Sequence, residues 1–289
     1  MSLSASKAER PRVALIVPTR NSARTLGACL RSIAHQTYEN TEAIVVDNHS
    51  SDETLRIAGD YAVTFITAGP ERSAQRNHGA RISGGEFLLF ADSDMVLAPG
   101  VVEECVAAAQ AGWSATIIPE VSFGEGFWAR CKRLERQCYV GDDDIEAARF
   151  FARELFFAVG GYDERLSAGE DWDLSRRARL AGARIGRIAA VIHHDEGRLR
   201  LGELVTKKFH YGKSLPLYRA RHKELGRRQF RLVRPAFIRN RRLLLRDPVA
   251  LAGIIAMKGL EFSAGTLGAA TALMARRRAL RSSTRIVHD

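Results

Sequence analysis

The chain has 289 residues, 46% of them hydrophobic, enough to bury a core in one large domain or a domain with an appendage. Its net charge of +11 is unevenly spread: residues 1–200 carry 24 Lys/Arg against 28 Asp/Glu, and residues 201–289 carry 20 against 5, so −4 is followed by +15. That split argues against a uniformly basic nucleic-acid binder and predicts a mildly acidic domain, 1–200, with a basic helical region, 201–289.

Val13-Ala-Leu-Ile-Val17 is a short β-branched run of buried-strand type, and Asn21 or Ser22 is placed to cap a helix whose apolar positions are Leu26, Leu30 and Ile33. AIVVD (43–47) repeats the strand signal, and Ser50 with Glu53 has capping-box spacing. VTFIT (63–67) and FLLFA (87–91) are further strands around a helix over 73–83, and Pro99 suits the first position of a helix over VVEECVAAAQA. ATIIPEVSF (115–123) and RIGRIAAVI (184–192) each read as one strand. Strands alternating with helices predict an α/β fold with a mostly parallel, doubly wound sheet, which binds ligands beyond the carboxyl ends of its strands. Asp47, Asp92 and Asp94 all fall there. Cys29, Cys105, Cys131 and Cys138 have neither CxxC nor metal-ligand spacing and read as reduced core residues. The first twelve residues hold no apolar run of secretory type, which sets the expectation of a cytoplasmic protein.

Three short acidic stretches are candidates for chemistry. Asp92-Ser93-Asp94 follows a strand, where two carboxylates one residue apart can face a hard cation shared with substrate phosphates. Gly169-Glu170-Asp171 opens a helix, and a carboxylate there can take a proton from an acceptor hydroxyl. Asp47 ends a strand and can accept a hydrogen bond from a nucleobase or ribose. Taken singly, each also fits an ordinary turn or a helix start that favours acids.

The ordered set is more specific than its members. VPTRN (17–21), VVDNHSSDET (45–54), ERSAQRNHGARISGGEFLLFADSD (71–94), VGGYDE (159–164) and GEDWDLSRR (169–177) together resemble the family 2 glycosyltransferases over roughly residues 12–200. The resemblance implies a GT-A (Rossmann-like) sheet flanked by helices, and a nonprocessive, inverting transfer from a nucleoside-diphosphate-sugar with Mg²⁺ or Mn²⁺. It places Pro18, Thr19, Asp47, Arg72, Arg76, Asp92 and Ser93 at the nucleotide-sugar, with Asp47 on the base and Asp92 on the ribose. Asp94 would hold the cation, with one of His193 and His194 nearby. Gly160 and Gly161 would adjoin the acceptor, and Asp171 would be the base beside Glu170. No QxxRW-like pattern occurs, since Arg227-Arg228-Gln229-Phe230-Arg231 does not match it, so a single sugar addition is expected.

Between Arg219 and Arg246 stand 11 Arg/Lys and one acid, Glu224, before an apolar stretch at 249–275 interrupted only by Lys258 and Glu261. Such clusters meet anionic headgroups at about 1 kcal/mol per residue. Arginines flank the stretch on both sides, against the tendency to keep positive charge on one side. The expectation is therefore peripheral attachment to the inner face of the cell membrane, through two short interfacial helices or a hairpin. Gly265 and Gly268 suit close packing, so a homodimer is the competing expectation. The acceptor would then be lipid-linked, or a saccharide near the membrane, in polysaccharide, glycolipid or glycoprotein biosynthesis. The alternatives are a polyprenyl-phosphate sugar synthase and, from another class, a nucleic-acid binder using the tail; the latter leaves the ordered carboxylates unexplained.

Overall fold

The computed structural model describes residues 10–222 and 234–286. The strands are β1 (Val13–Thr19), β2 (Thr41–Asp47), β3 (Thr64–Thr67), β4 (Phe87–Phe90), β5 (Met95–Leu97), β6 (Ala115–Ile117), β7 (Glu120–Glu125), β8 (Ala148–Ala152), β9 (Ile185–Arg187) and β10 (Ile192–Arg198). The helices through residue 180 are α1 (Leu26–Ala34), α2 (Thr54–Ala58), α3 (Arg72–Ile82), α4 (Val101–Gln110), α5 (Gly126–Gln137), α6 (Arg153–Ala158) and α7 (Glu170–Leu180). Beyond β10 come α8 (Leu201–Gly212), α9 (Leu215–Arg221), α10 (Pro235–Arg239), α11 (Arg241–Leu245) and α12 (Pro248–Ile286). Among the described residues two compact units form, the first of residues 10–120, 147–162 and 174–195, the second of 121–146, 163–173, 196–222 and 234–286.

The first unit holds a seven-stranded sheet in the order β3-β2-β1-β4-β8-β6-β9, with β8 antiparallel to both its neighbours and every other pairing parallel. All seven residues of β1 are buried, because alternate side chains enter different cores on the two faces. Val13, Leu15 and Val17 join Leu26, Leu30 and Ile33 of α1 and Val101, Val102 and Cys105 of α4. Ala14 and Ile16 join Ala80 of α3, Phe156 of α6 and Leu174 and Ala178 of α7. Each large apolar side chain so buried contributes about 1.5–3 kcal/mol. A Cβ on Gly79 would lie 2.6 Å from Ile16 Cγ2, so α3 rests on the sheet at a distance only glycine permits.

Four local expectations change. ATIIPEVSF is two strands, broken at Ile118-Pro119, where proline offers no ladder N–H. RIGRIAAVI also divides, because Ala189 N and Ala190 N donate to Glu104 Oε2 of α4 at 2.8 and 2.9 Å instead of to a neighbouring strand. Thr25 caps α1 and Glu53 caps α2, neither through its side chain. Asn21, Ser22 and Ser50 cross-link the loops after β1 and β2 instead: Ser50 Oγ accepts from Asn21 N at 2.7 Å, Asn21 Oδ1 from Ser51 N at 2.9 Å, and Thr54 Oγ1 from Ser22 N at 2.8 Å. Helix α4 starts at Val101 behind Gly100, two residues after Pro99. Strands β5 and β8 were not anticipated.

The second unit packs α12 along α8 and α5 over Cys131, Leu134, Cys138, Leu204, Leu244, Ala250, Ile254 and Met257. The four cysteines are free and buried. Residues 248–286 form one continuous helix, so the expected pair of short helices or hairpin gives way. The two charges within its apolar stretch, 249–275, are satisfied inward: Lys258 Nζ lies 2.8 Å from Glu135 Oε1 and 2.5 Å from Glu261 Oε2. Gly265 and Gly268 face the same chain, since a Cβ on Gly212 of α8 would lie 2.1 Å from Gly265 O, and one on Gly268 would lie 2.0 Å from Phe209 O. Backbones meet along that seam, and nothing about Gly265 or Gly268 calls for a second copy. By length and composition residues 248–275 could cross a membrane, and 33% of an 18-residue window within that stretch is buried in the structure. Lys223, Glu224, Arg227, Arg228 and Arg231, with the QxxRW comparison, lie outside the described residues.

Candidate active site

Strand order reverses between β1 and β4, which opens a crevice at their carboxyl ends. Pro18 and Thr19 end β1 with Thr19 3% exposed. Thr19 O accepts from Gln75 Nε2 and Asn48 N, both at 2.9 Å. Thr19 Oγ1 is buried and has no hydrogen-bond partner among the described residues. Asp47 at the end of β2 is 4% exposed and forms a turn with Ser50, whose N and Oγ donate to it at 2.8 and 2.5 Å.

After β4, Asp92 Oδ1 lies 2.5 Å from Arg76 Nη2, and its other oxygen lies 3.8 Å from Arg149 Nη2 of β8. Burial raises the Asp92 pKa, but Arg76, Arg149 and Arg72 outweigh it and hold the carboxyl below the usual range. Arg76 is fully buried, with its guanidinium 5.0 Å from the Tyr162 ring centroid. Arg72, one turn earlier, is half-buried. The structure thus separates the two arginines: Arg76 is committed to Asp92, and Arg72 stands nearer solvent. Ser93 Oγ donates to Ser22 Oγ at 2.8 Å and ties the DxD turn to the loop after β1.

Asp94 is the DxD carboxylate that keeps a buried oxygen, Oδ1, without a hydrogen-bond partner among the described residues. Its Oδ2 lies 3.3 Å from His194 Nε2. β10 pairs antiparallel with β5, His194 opposite Met95. Successive side chains on a strand point to opposite faces, so His194 is brought to Asp94 while His193 is exposed. His194 Nδ1 lies 3.4 Å from Glu120 Oε2, and Glu120 Oε1 accepts from Arg149 Nε at 2.7 Å. With a carboxylate beside Nδ1, a His194 protonated at Nδ1 would leave its Nε2 lone pair for a cation shared with Asp94, the arrangement found around metal-bound histidines. No group of three His, Cys, Asp or Glu suited to a metal occurs among the described residues. A Mg²⁺ or Mn²⁺ here fits as one held by Asp94 and His194, with its remaining oxygens from diphosphate and water.

Gly160 and Gly161 adopt positive φ of 84° and 63°. Asn77 of α3 exchanges two 2.9 Å hydrogen bonds with Tyr162, and Arg177 of α7 donates to Val159 O and Gly161 O. A Cβ on Gly161 would meet Asn77 Oδ1 at 2.7 Å, so the pair forms a rigid turn.

Glu170 and Asp171 belong to the second unit, in the first turn of α7, where the helix dipole favours negative charge. Glu170 is 2% exposed and Asp171 half-buried. Asp173 is fully buried and bound by His222 Nε2 at 2.7 Å and Arg221 Nη1 at 3.0 Å, a structural role.

Sequence reasoning missed Arg149, Glu120 and Asn77. Arg149 had one visible sign, a lone charge inside the aromatic run ARFFA; Glu120 and Asn77 had none.

A mostly parallel sheet with acids gathered at its reversal of strand order is the fold of a GT-A glycosyltransferase. The chain belongs to glycosyl transferase family 2, whose model matches residues 14–162. It is 30% identical over 216 residues to a PGL/p-HBAD biosynthesis glycosyltransferase of Mycobacterium bovis, covering 69% of this chain and 82% of the relative. Two solved structures share the fold. The mannosyltransferase PcManGT from Pyrobaculum calidifontis, in complex with GDP-Man and Mn²⁺, matches at TM-score 0.56 and 23% identity over 94% of this chain and 81% of its own. TarS 1-349 of S. aureus, in complex with UDP-GlcNAc, matches at TM-score 0.50 and 20% identity over 71% and 66%.

Proposed function

We propose that this glycosyltransferase adds one sugar, with inversion, from a nucleoside-diphosphate-sugar to a lipid-linked or membrane-proximal saccharide acceptor, using Mg²⁺ or Mn²⁺. The observation that carries the reading is the Asp94–His194 pair beside the Arg-held Asp92. The bound cation would neutralise charge on the leaving diphosphate. Asp94 and His194 hold that charge in place, and Thr19, Asp47, Arg72 and Ser93 are the groups around the nucleotide. Asp171 takes the proton from the acceptor hydroxyl as its oxygen attacks the anomeric carbon, while the C–O bond to the diphosphate breaks. One base and one displacement invert the centre, and no second carboxylate nucleophile is required. The mannosyltransferase bound to GDP-Man and Mn²⁺ and TarS bound to UDP-GlcNAc support donor and cation chemistry of this kind, and the PGL/p-HBAD relative supports a biosynthetic acceptor.

A transfer screen across UDP-, GDP- and dTDP-sugars with Mg²⁺ or Mn²⁺ identifies the donor. Asp171→Asn should then bind that donor nearly normally and turn over at least about a hundredfold more slowly. A near-normal rate, or a product of retained configuration, would overturn the assignment.

A further inference from the structure

Helix α12 carries a long face that the second unit leaves uncovered. Val249, Ile255, Leu260, Phe262, Leu267 and Leu273 are 43–65% exposed, and no exposed residue from 248 to 275 carries a charge. The two hydroxyls on that face are satisfied within the helix: Ser263 Oγ donates to Gly259 O at 3.0 Å and Thr266 Oγ1 to Phe262 O at 2.5 Å. The only charges in this stretch, Lys258 and Glu261, turn inward to Glu135, Lys132 and Lys208. A helix beside water has no reason to hide both charges and present only apolar groups.

Two occupants suit such a face, a second copy or a lipid surface, and charge decides between them. Exposed Arg241, Arg242 and Arg246 precede the stretch, and the sequence places Arg276, Arg277, Arg278 and Arg281 after it. Both ends being basic, a second copy laid face to face brings arginine against arginine, parallel or antiparallel. The glycine seam is also already filled by α8. Anionic headgroups neutralise both ends at once. A perpendicular crossing is disfavoured because α5 and α8, packed along α12, carry Arg130, Lys132, Arg133, Glu203 and Lys207, which would enter hydrocarbon with it.

We propose that α12 lies in the plane of an anionic bilayer, its outward apolar face inserted into the surface and its terminal arginines on the headgroups. The proposal concerns attachment and stands apart from the transfer reaction, so each can fail without the other.

Flotation of the full chain with phosphatidylglycerol–phosphatidylcholine vesicles, against phosphatidylcholine alone, tests it. Binding to the anionic vesicles should be at least about tenfold tighter, and salt should weaken it without abolishing it. Ile255→Asp and Leu267→Asp should each lower binding at least about tenfold, with helical circular dichroism and nucleotide binding unchanged. If either loses its helical signal, Arg241→Gln/Arg242→Gln, on the surface, decides the matter with a loss of about tenfold. Absence of flotation at low salt, or binding indifferent to these changes, would overturn the proposal. So would a dimer in light scattering that Ile255→Asp splits, which assigns the face to a second copy.

Discussion

Two clusters of buried charge, one in each unit, are built from the same kinds of residue and serve opposite ends. In the first unit Arg76, Arg149, Asp92, Glu120, His194 and Asp94 form a chain of contacts that ends at a buried carboxylate oxygen with no hydrogen-bond partner among the described residues. In the second, Lys132, Glu135, Lys208, Lys258 and Glu261 close on one another, and Tyr139 Oη also donates to Glu135 at 2.9 Å. Glu261 Oε1 lacks a hydrogen bond as well, yet two ammonium groups lie 3.8 Å from it. A buried carboxylate oxygen therefore marks a ligand position only where no cation of the protein already balances it. The first cluster should fail in function when cut and the second in stability.

The largest effect is expected at Glu135. Its carboxyl is 2% exposed; burial opposes its ionisation, and Lys132 and Lys258 hold it well below the usual range all the same. Glu135→Ala leaves three lysines to share the one remaining carboxylate, Glu261, and should cost about 3–5 kcal/mol, read as a fall in denaturant midpoint, with nucleotide affinity unchanged while the protein is folded. A stable variant would dissolve the contrast. Asp94→Ala should do the reverse. Calorimetry with nucleotide and Mn²⁺ should show at least about a hundredfold weaker metal-dependent binding, since the cation loses its one carboxylate, while the melting temperature stays near that of the parent.

Glu120→Gln sharpens the comparison. Removing the charge behind His194 while keeping the shape should weaken Mn²⁺ binding about ten- to a hundredfold and leave metal-free nucleotide binding alone; a purely structural Glu120 would lower the melting temperature and spare the metal. The smallest effect is expected at Lys208, which makes the second cluster three lysines to two glutamates. Burial pushes its ammonium down to about 8, with Glu261 resisting. Its folded value is below the unfolded one, about 10.4, so the folded state binds fewer protons between them and stability rises with pH across that window. Lys208→Met should remove that rise and change stability at pH 7 by less than about 1 kcal/mol, measured by urea midpoints at pH 7 and 10.

Much of the first unit was legible because its signals are local. VALIV, AIVV and FLLFA lie between two cores and are therefore apolar throughout, and acids at or just beyond a strand end need only a strand and a turn to reach the crevice. ARFFA escaped notice because its arginine and alanines weaken a strand pattern that is settled only by β4 and β6 on either side. Ser50 and Glu53 had the spacing of a cap, but Asp47 competes for the serine at closer range.

The sequence alone determined the doubly wound body, the order of its acids and the basic end of the chain, since each depends on neighbours within a turn or a strand. Tertiary structure alone decided that Glu120 and Arg149 meet beside His194, that His194 and not His193 faces Asp94, and that Lys258 and Glu261 turn inward. Those facts rest on contacts between residues 29 to 129 positions apart. Such contacts leave no periodicity in the chain, because what fixes them is the packing of whole elements and the need of each buried charge for a partner.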